Sequence, residues 1–267
     1  MDDVVLYDKA GGIATITLNR PDRMNAWTGE LSDALQAYLG EADRDDEVVV
    51  VVITGAGKAF CAGADLGDGE GGFLPVTAED DGRPRLWPYQ VRKPIIAAIN
   101  GHAVGVGITI AMLCDIRIVA EDAKVQYAMV RRGVVPELAS HVILPRVVGF
   151  SRAAELMLTG RMMSGAEAAE LGLASKAVPA AEVLAEATSL AAEMVRNASP
   201  VALGVSKQLL WQGVTSSVDD MLKREGRVIS SIARMPDAVE GVTAFFERRD
   251  AVWSGSVNDS ADDILQR

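Results

Sequence analysis

The fold turns on residues 48–66, 48-VVVVVITGAGKAFCAGADL-66. Residues 48–53 are an unbroken β-branched run, the mark of a strand covered on both faces. A glycine-rich turn with a lysine follows, which superficially matches the start of a phosphate-binding loop. The match fails on chemistry. Gly57-Lys58 is followed by Ala59, so the hydroxyl that would hold magnesium is missing, and Val52 stands where the loop's first glycine belongs. A dinucleotide fingerprint fails as well, because Gly55-Ala56-Gly57 is followed by Phe60 in place of the third glycine.

A second glycine cluster also follows an apolar strand: 99-INGHAVGVGITIAMLCDIRIV-119. Gly101, Gly105 and Gly107 precede a helix-like apolar run at residues 108–114. Either cluster alone is accounted for by tight turns and close helix–strand packing. Two strand–glycine turns in one α/β sheet can also aim two unpaired backbone N–H groups at one point. With one of them at a helix N-terminus, they would form an oxyanion hole.

Working outward, residues 4–8 and 13–18 read as strands divided by the turn Lys9-Ala10-Gly11-Gly12. Thr28 is placed to cap a helix to Leu39, with Gly40 just past its end. Residues 95–99 and 116–119 are two further short strands, and residues 66–93 form a long loop of the length that functional loops have. The second half is helical. Residues 151–159 form one helix, Ser164-x-x-Glu167 is a capping box opening another that stops at Gly172, and residues 180–197 form a third. From Pro200 onward, apolar residues such as Val205, Leu209, Leu210, Leu222, Val228, Ile229, Ile232 and Phe245 recur at helical spacing. The expected organisation is a core over residues 1–199 and a helical subdomain over residues 200–267.

The 267 residues are 49% hydrophobic, enough for one large core, and carry a net charge of −11. No basic tract stands out, so nucleic acid is not an expected partner. No apolar run reaches the ~20 residues of a membrane helix. The acidic start, MDDVVLYDKAGG, lacks a secretory pattern, so the expected location is the cytoplasm. Cys61 and Cys114 sit among apolar neighbours and suggest packing, not a disulfide. No group of His, Cys, Asp or Glu has metal-ligand spacing, and no G-x-S-x-G elbow occurs. No metal or separate cofactor is expected.

The pair 59-AFCAGADL-66 and N100-G101-x-A103-x-G105-x-G107 … A111-x-x-C114-D115 resembles the crotonase superfamily, which includes enoyl-CoA hydratases and isomerases. The segments 19-NRPDRMNA-26, 159-TGRMMSGAEAAELGLASKAVP-179 and 245-FFERR-249 agree. The resemblance implies an α/β fold built as a spiral of ββα turns. It also implies a C-terminal helical subdomain, a homotrimer or dimer of trimers, and an acyl-CoA thioester substrate whose coenzyme A is part of the substrate. It places the backbone N–H groups of Ala64 and Val106 on the thioester oxygen. Valine at 106, where relatives usually have glycine, still donates its N–H. The resemblance further puts Asn25, Ala26, Ala62, Asp65 and Leu66 at the CoA moiety. Arg23 takes the place of a lysine often found where this chain has Asp22.

Hydratases resembling this family use two glutamates to activate one water. Here those positions are Thr109 and Met129. Another carboxylate, Glu137, lies in 133-GVVPELASHVILPRVVG-149 and resembles the Pro-Glu segment of peroxisomal-type Δ3,Δ2-enoyl-CoA isomerases. There one glutamate moves a proton from C2 to C4. An apolar pocket would raise its pKa and strengthen the base. Without the resemblance, Glu137 would read as a solvated helix-start carboxylate. His141, four residues on, shares a helical face with Glu137 if the helix has begun and could orient it or line the acyl pocket; a structural role is equally open. Phe73, Leu74 and Trp87 are candidate acyl contacts. His102 reads as a structural loop residue, and Asp65 and Asp115 as turn-fixing residues. Arg248 and Arg249 read equally as phosphate contacts of a neighbouring subunit or a solvated face. Three functions remain: a single-base isomerase, a hydratase using Glu137 from an unusual position, and a non-catalytic acyl-CoA-binding protein.

Overall fold

The computed structural model describes residues 3–67 and 85–258. A hairpin of β1 (Val5–Ala10) and β2 (Ile13–Leu18) turns at Gly11–Gly12 and is followed by α1 (Gly29–Arg44). Three repeated excursions then build two sheets in step. In the first, β3 (Val50–Gly55) is followed by β4 (Ala59–Cys61). In the second, β5 (Ile95–Ile99) is followed by β6 (His102–Val104) and α2 (Val106–Met112). In the third, β7 (Ile116–Ala120) is followed by β8 (Lys124–Gln126). Next come α3 (Ser140–Val148), α4 (Phe150–Thr159), β9 (Met162–Ser164), α5 (Gly165–Glu170), β10 (Lys176–Val178) and α6 (Val183–Asn197). The larger sheet has the order β1-β2-β3-β5-β7-β10 and the smaller β4-β6-β8-β9. Each excursion leaves one strand in each sheet, which is the spiral expected from the sequence. Among the described residues only β1–β2 and β8–β9 pair antiparallel.

β3 lies between β2 and β5, both parallel to it, and every one of its residues is buried. Sandwiched between sheet neighbours and packed against α6, it has no face to give to polar side chains. The N-cap of α1 is Thr28, whose hydroxyl accepts from the Leu31 N–H at 3.2 Å. The expected stop at Gly40 is not observed, and the helix runs on to Arg44. Leu31, Leu35, Leu39 and Ala42 form one buried stripe that continues past Gly40. That burial outweighs the ~1 kcal/mol by which glycine disfavours a helix interior. Ser164 caps α5 by accepting from the Glu167 N–H at 3.1 Å. The reciprocal half of the capping box is absent, because the Glu167 carboxylate pairs with Arg161 at 2.7 Å. The third helix opens as a 3-10 turn at Ala180–Glu182 before α6.

The chain closes with α7 (Pro200–Gly213), α8 (Val218–Ile232) and α9 (Pro236–Glu247). These helices enclose their own small cluster of Val201, Val205, Val228 and Val257. A polar anchor ties α7 to the sheets. Buried Lys207 donates to the carbonyls of Pro88 (2.8 Å) and Lys93 (2.9 Å) and pairs with Asp115 (2.9 Å). Trp211 donates its indole N–H to Asp115 at 2.7 Å, and the Ile95 N–H donates to the same carboxylate at 2.6 Å. Leu222, Ile229, Val239, Val242, Phe245 and Phe246 are all exposed, so the helical periodicity seen in the sequence ends in apolar faces open to solvent.

Candidate active site

Ala64 and Val106 each follow a glycine, and the two glycines touch. A Cβ on Gly105 would lie 3.6 Å from the Gly63 Cα, and one on Gly63 would lie 3.2 Å from the Val104 carbonyl. Gly105 is the N-cap of α2 with φ 57° and ψ −123°, a conformation that a side chain resists. Two positions on, a Cβ at Gly107 would sit 2.1 Å from the Cys61 carbonyl, so the first turn of α2 seats directly on the end of β4. Gly63 and Ala64 are held on their other side by the 25–27 segment. The Trp27 N–H donates to the Gly63 carbonyl (2.8 Å) and the Asp65 N–H to the Trp27 carbonyl (2.9 Å). Among the described residues no acceptor takes the Ala64 or Val106 N–H. Val106 occupies the first turn of α2, where such N–H groups have no intrahelical partner. Two free donors on adjoining turns, one at a helix start, favour a developing oxyanion.

Glu137 meets α2 at Thr109. Its Oε1 accepts from the Thr109 hydroxyl at 2.7 Å, one helical turn after Val106. Burial pushes its carboxyl above the usual carboxylate range, while the Thr109 hydrogen bond pulls the other way. The residues that follow hold it in place by an unusual backbone. Leu138 and Ala139 both take left-handed φ values, 52° and 56°. This conformation costs roughly 1–2 kcal/mol for each non-glycine residue. The Ser140 N–H (3.1 Å) and hydroxyl (2.5 Å) then donate to the Glu137 carbonyl. Because α3 starts only at Ser140, Glu137 precedes the helix, and the expected helical face shared with His141 does not exist. His141 is exposed and stands apart from the cavity lining described below. Met129 is buried.

The segments expected at the CoA moiety are neighbours, since residues 25–27 bridge to residues 63–65. The polar side chains among them, Asn25 and Asp65, are used internally. Asn25 is fully buried and accepts from the Arg20 N–H (2.8 Å). It donates to the carbonyls of Ala56 (2.9 Å) and Ala59 (2.7 Å), so its amide braces the β3–β4 turn and does not face a ligand. Asp65 pairs with Arg20 at 2.9 Å and accepts from the Gly67 N–H at 3.1 Å, the turn-fixing role expected. The Ala26 carbonyl accepts from Arg20, and the Ala62 N–H donates to Met24. Leu66 and Arg23 are exposed. His102 accepts from the Lys124 N–H at 3.2 Å, a structural contact. Arg249 is bound by Glu240 and Glu247. Burial pushes the thiols of Cys61 and Cys114 up to about 12, which keeps them unreactive.

A cavity of about 1060 Å³ opens where α2 ends, between Leu113, the 138–143 segment and α7. Trp87, an expected acyl contact, lines it; Phe73 and Leu74 lie outside the described residues. Gln208, Trp211, Gln212 and Thr215 also line it. The sequence reading did not single them out, although their spacing of three, one and three residues is that of one helical face. No group of three potential metal ligands occurs among the described residues, and no described helix is long and apolar enough to cross a membrane.

The two-sheet ββα spiral is the architecture of crotonase-type enzymes. The chain belongs to the enoyl-CoA hydratase/isomerase family, whose model matches residues 8–256. It is 37% identical over 263 residues to an enoyl-CoA hydratase of Alternaria alternata, covering 97% of this chain and 88% of the relative. It is 34% identical over 262 residues to the 1,2-epoxyphenylacetyl-CoA isomerase of Escherichia coli, covering 96% and 100%. A crystal structure described as a "probable enoyl-CoA hydratase/isomerase" from Mycobacterium abscessus superposes with a TM-score of 0.87 at 36% identity, covering 96% of this chain and all of that one.

Proposed function

We propose that this enzyme is a Δ3,Δ2-enoyl-CoA isomerase that works through a thioester enolate with Glu137 as its one base. The observation that carries the reading is the Glu137 carboxylate. It is bound to Thr109 one turn along the helix that presents the Val106 N–H, and positions 109 and 129 hold no second carboxylate. The thioester oxygen is taken by the N–H groups of Ala64 and Val106. Glu137 removes a proton from C2; the C2–H electrons move into the enolate, and negative charge gathers on the thioester oxygen. The protonated Glu137 then delivers the same proton to C4, the C3–C4 double bond moves to C2–C3, and the carboxylate is regenerated. Losing one such oxyanion donor typically costs roughly 3–4 kcal/mol of barrier. The raised pKa suits Glu137 to both halves of the transfer. Residues 62–66 and 25–26 supply backbone near the CoA moiety. The exposed apolar faces of α8 and α9 support self-association through the helical subdomain over residues 200–267, with a homotrimer or a dimer of trimers as the expected state.

A hydratase reading is favoured by relatives that carry that name, such as the Alternaria enoyl-CoA hydratase. In it Glu137 alone activates water against C3. NMR in D2O with 3-enoyl-CoA and 2-enoyl-CoA in separate tubes, wild type beside Glu137→Gln, decides. Conversion of the 3-enoyl ester by wild type only supports the isomerase. Water addition to the 2-enoyl ester replaces it with the hydratase. Binding of both esters without reaction or C2 exchange overturns both in favour of a carrier.

A further inference from the structure

The cavity at the end of α2 has three properties that together point to the acyl group it accepts. The first is position. Leu113 is in its wall, seven residues along α2 from Val106, or about 10 Å at the helical rise. Leu138 and Ala139, which directly follow Glu137, form another part of the wall. A thioester with its oxygen at Val106 and its reacting carbons beside Thr109 and Glu137 therefore points its tail at this space. The second is size. At about 1060 Å³ it sits at the upper end of small-molecule pockets, far more than a four-carbon acyl group fills.

The third is chemistry. Trp87 and the Tyr89–Trp211 ring pair, with centroids 5.4 Å apart, make flat apolar walls. The charges in the lining neutralise each other. Arg92 donates to the Asp43 carboxylate from its backbone N–H (2.7 Å), its Nε (3.0 Å) and its Nη2 (2.7 Å). Gln208, also in the lining, is different: its Nε2 is buried with no hydrogen-bond partner among the described residues. A buried donor without an acceptor is costly. The last torsion of a glutamine is a soft two-fold rotor, so the unpartnered amide of this lining residue is free to turn toward an acceptor that enters the cavity.

We propose that this cavity is a tail subsite selecting acyl groups well beyond four carbons that carry a neutral hydrogen-bond acceptor, such as a ketone or ether oxygen, far from the thioester, with Gln208 as its donor. The inference rests on the acyl-CoA orientation proposed above. A charged tail is disfavoured, because the Arg92 guanidinium is already bound by Asp43.

The test is calorimetric titration of the intact protein with three saturated esters: butanoyl-CoA, decanoyl-CoA, and decanoyl-CoA bearing a terminal methyl ketone. The ketone ester is expected to bind about 3- to 10-fold more tightly than decanoyl-CoA, the range of one net neutral hydrogen bond, and both more tightly than butanoyl-CoA. Gln208→Leu is expected to abolish or invert the ketone preference. Equal binding of ketone and plain esters by wild type, or butanoyl-CoA binding as tightly as decanoyl-CoA, overturns the proposal. The wild-type comparison decides even if Gln208→Leu does not fold. Saturated esters do not isomerise, so failure of this ranking leaves the D2O result for Glu137 untouched, and the reverse also holds.

Discussion

Replacing Thr109 by valine tests the link between the α2 turn and the base. Thr109 is fully buried, and its hydroxyl donates to Glu137 Oε1 at 2.7 Å. Valine has nearly the same shape but no donor. A hydrogen bond to a charged group contributes about 1.5–3 kcal/mol; the lower end applies because Glu137 is only half-buried. The loss disfavours the carboxylate by about 1.5 kcal/mol, roughly tenfold in its acid dissociation constant. The base acts deprotonated, so kcat/KM rises as pH climbs through the Glu137 pKa. Burial already holds that pKa above the usual range, and Thr109 is the side-chain group that pulls it down. The acid limb of the variant's profile for 3-enoyl-CoA is expected to move up by about one pH unit, with near-wild-type rates on the alkaline side. The measurement is kcat/KM from pH 4 to 9. An acid limb that stays put or moves down refutes the reasoning, because the hydroxyl would then not be stabilising the carboxylate that does the chemistry.

Glu137→Gln should lower isomerisation roughly 10²- to 10⁴-fold, the usual contribution of general acid–base catalysis, while calorimetry still registers ester binding. The same variant has a stability signature. A carboxyl whose folded pKa is raised binds more protons folded than unfolded, so wild type loses stability as pH rises from the ordinary carboxyl value through the folded one. Glu137→Gln should therefore melt higher than wild type at pH 8, and the gap should close toward pH 4. Gly107→Ala places a Cβ 2.1 Å from the Cys61 carbonyl, so α2 must shift against β4. Activity should fall about 10²- to 10³-fold as one oxyanion donor is misaligned, with the far-ultraviolet circular dichroism retained. Lys207→Met removes the cation paired with Asp115 and the donor to the carbonyls of Pro88 and Lys93. Urea denaturation should show a loss of about 3–5 kcal/mol, as for breaking a buried pair from one side.

Legibility followed sequence distance. β2 and β5 stand where their apolar runs put them, the Thr28 cap acts as read and Ser164 supplies its half of the expected capping box, because a strand's burial pattern and an N-cap are made by residues within a few positions of one another. The end of α1 was missed because the local signal at Gly40 competes with a buried stripe that only the packed sheet creates. The face expected to join Glu137 to His141 was missed because Leu138 and Ala139 hold a left-handed backbone that neither residue type advertises. Asn25 looked like a ligand contact and proved to be a brace, since its partners Ala56 and Ala59 lie 31 and 34 residues away.

The sequence by itself determined the strands, the glycine turns and, through their resemblance, the family. These depend on local sterics and on a pattern that few folds tolerate. Tertiary structure alone decided that Thr109 meets Glu137 across 28 residues, that Lys207 and Trp211 converge on Asp115 across about a hundred, and that Gln208 stands over the cavity beyond Glu137. Such contacts follow from how helices dock on the two sheets, and no periodicity within one segment encodes the distance to a partner in another.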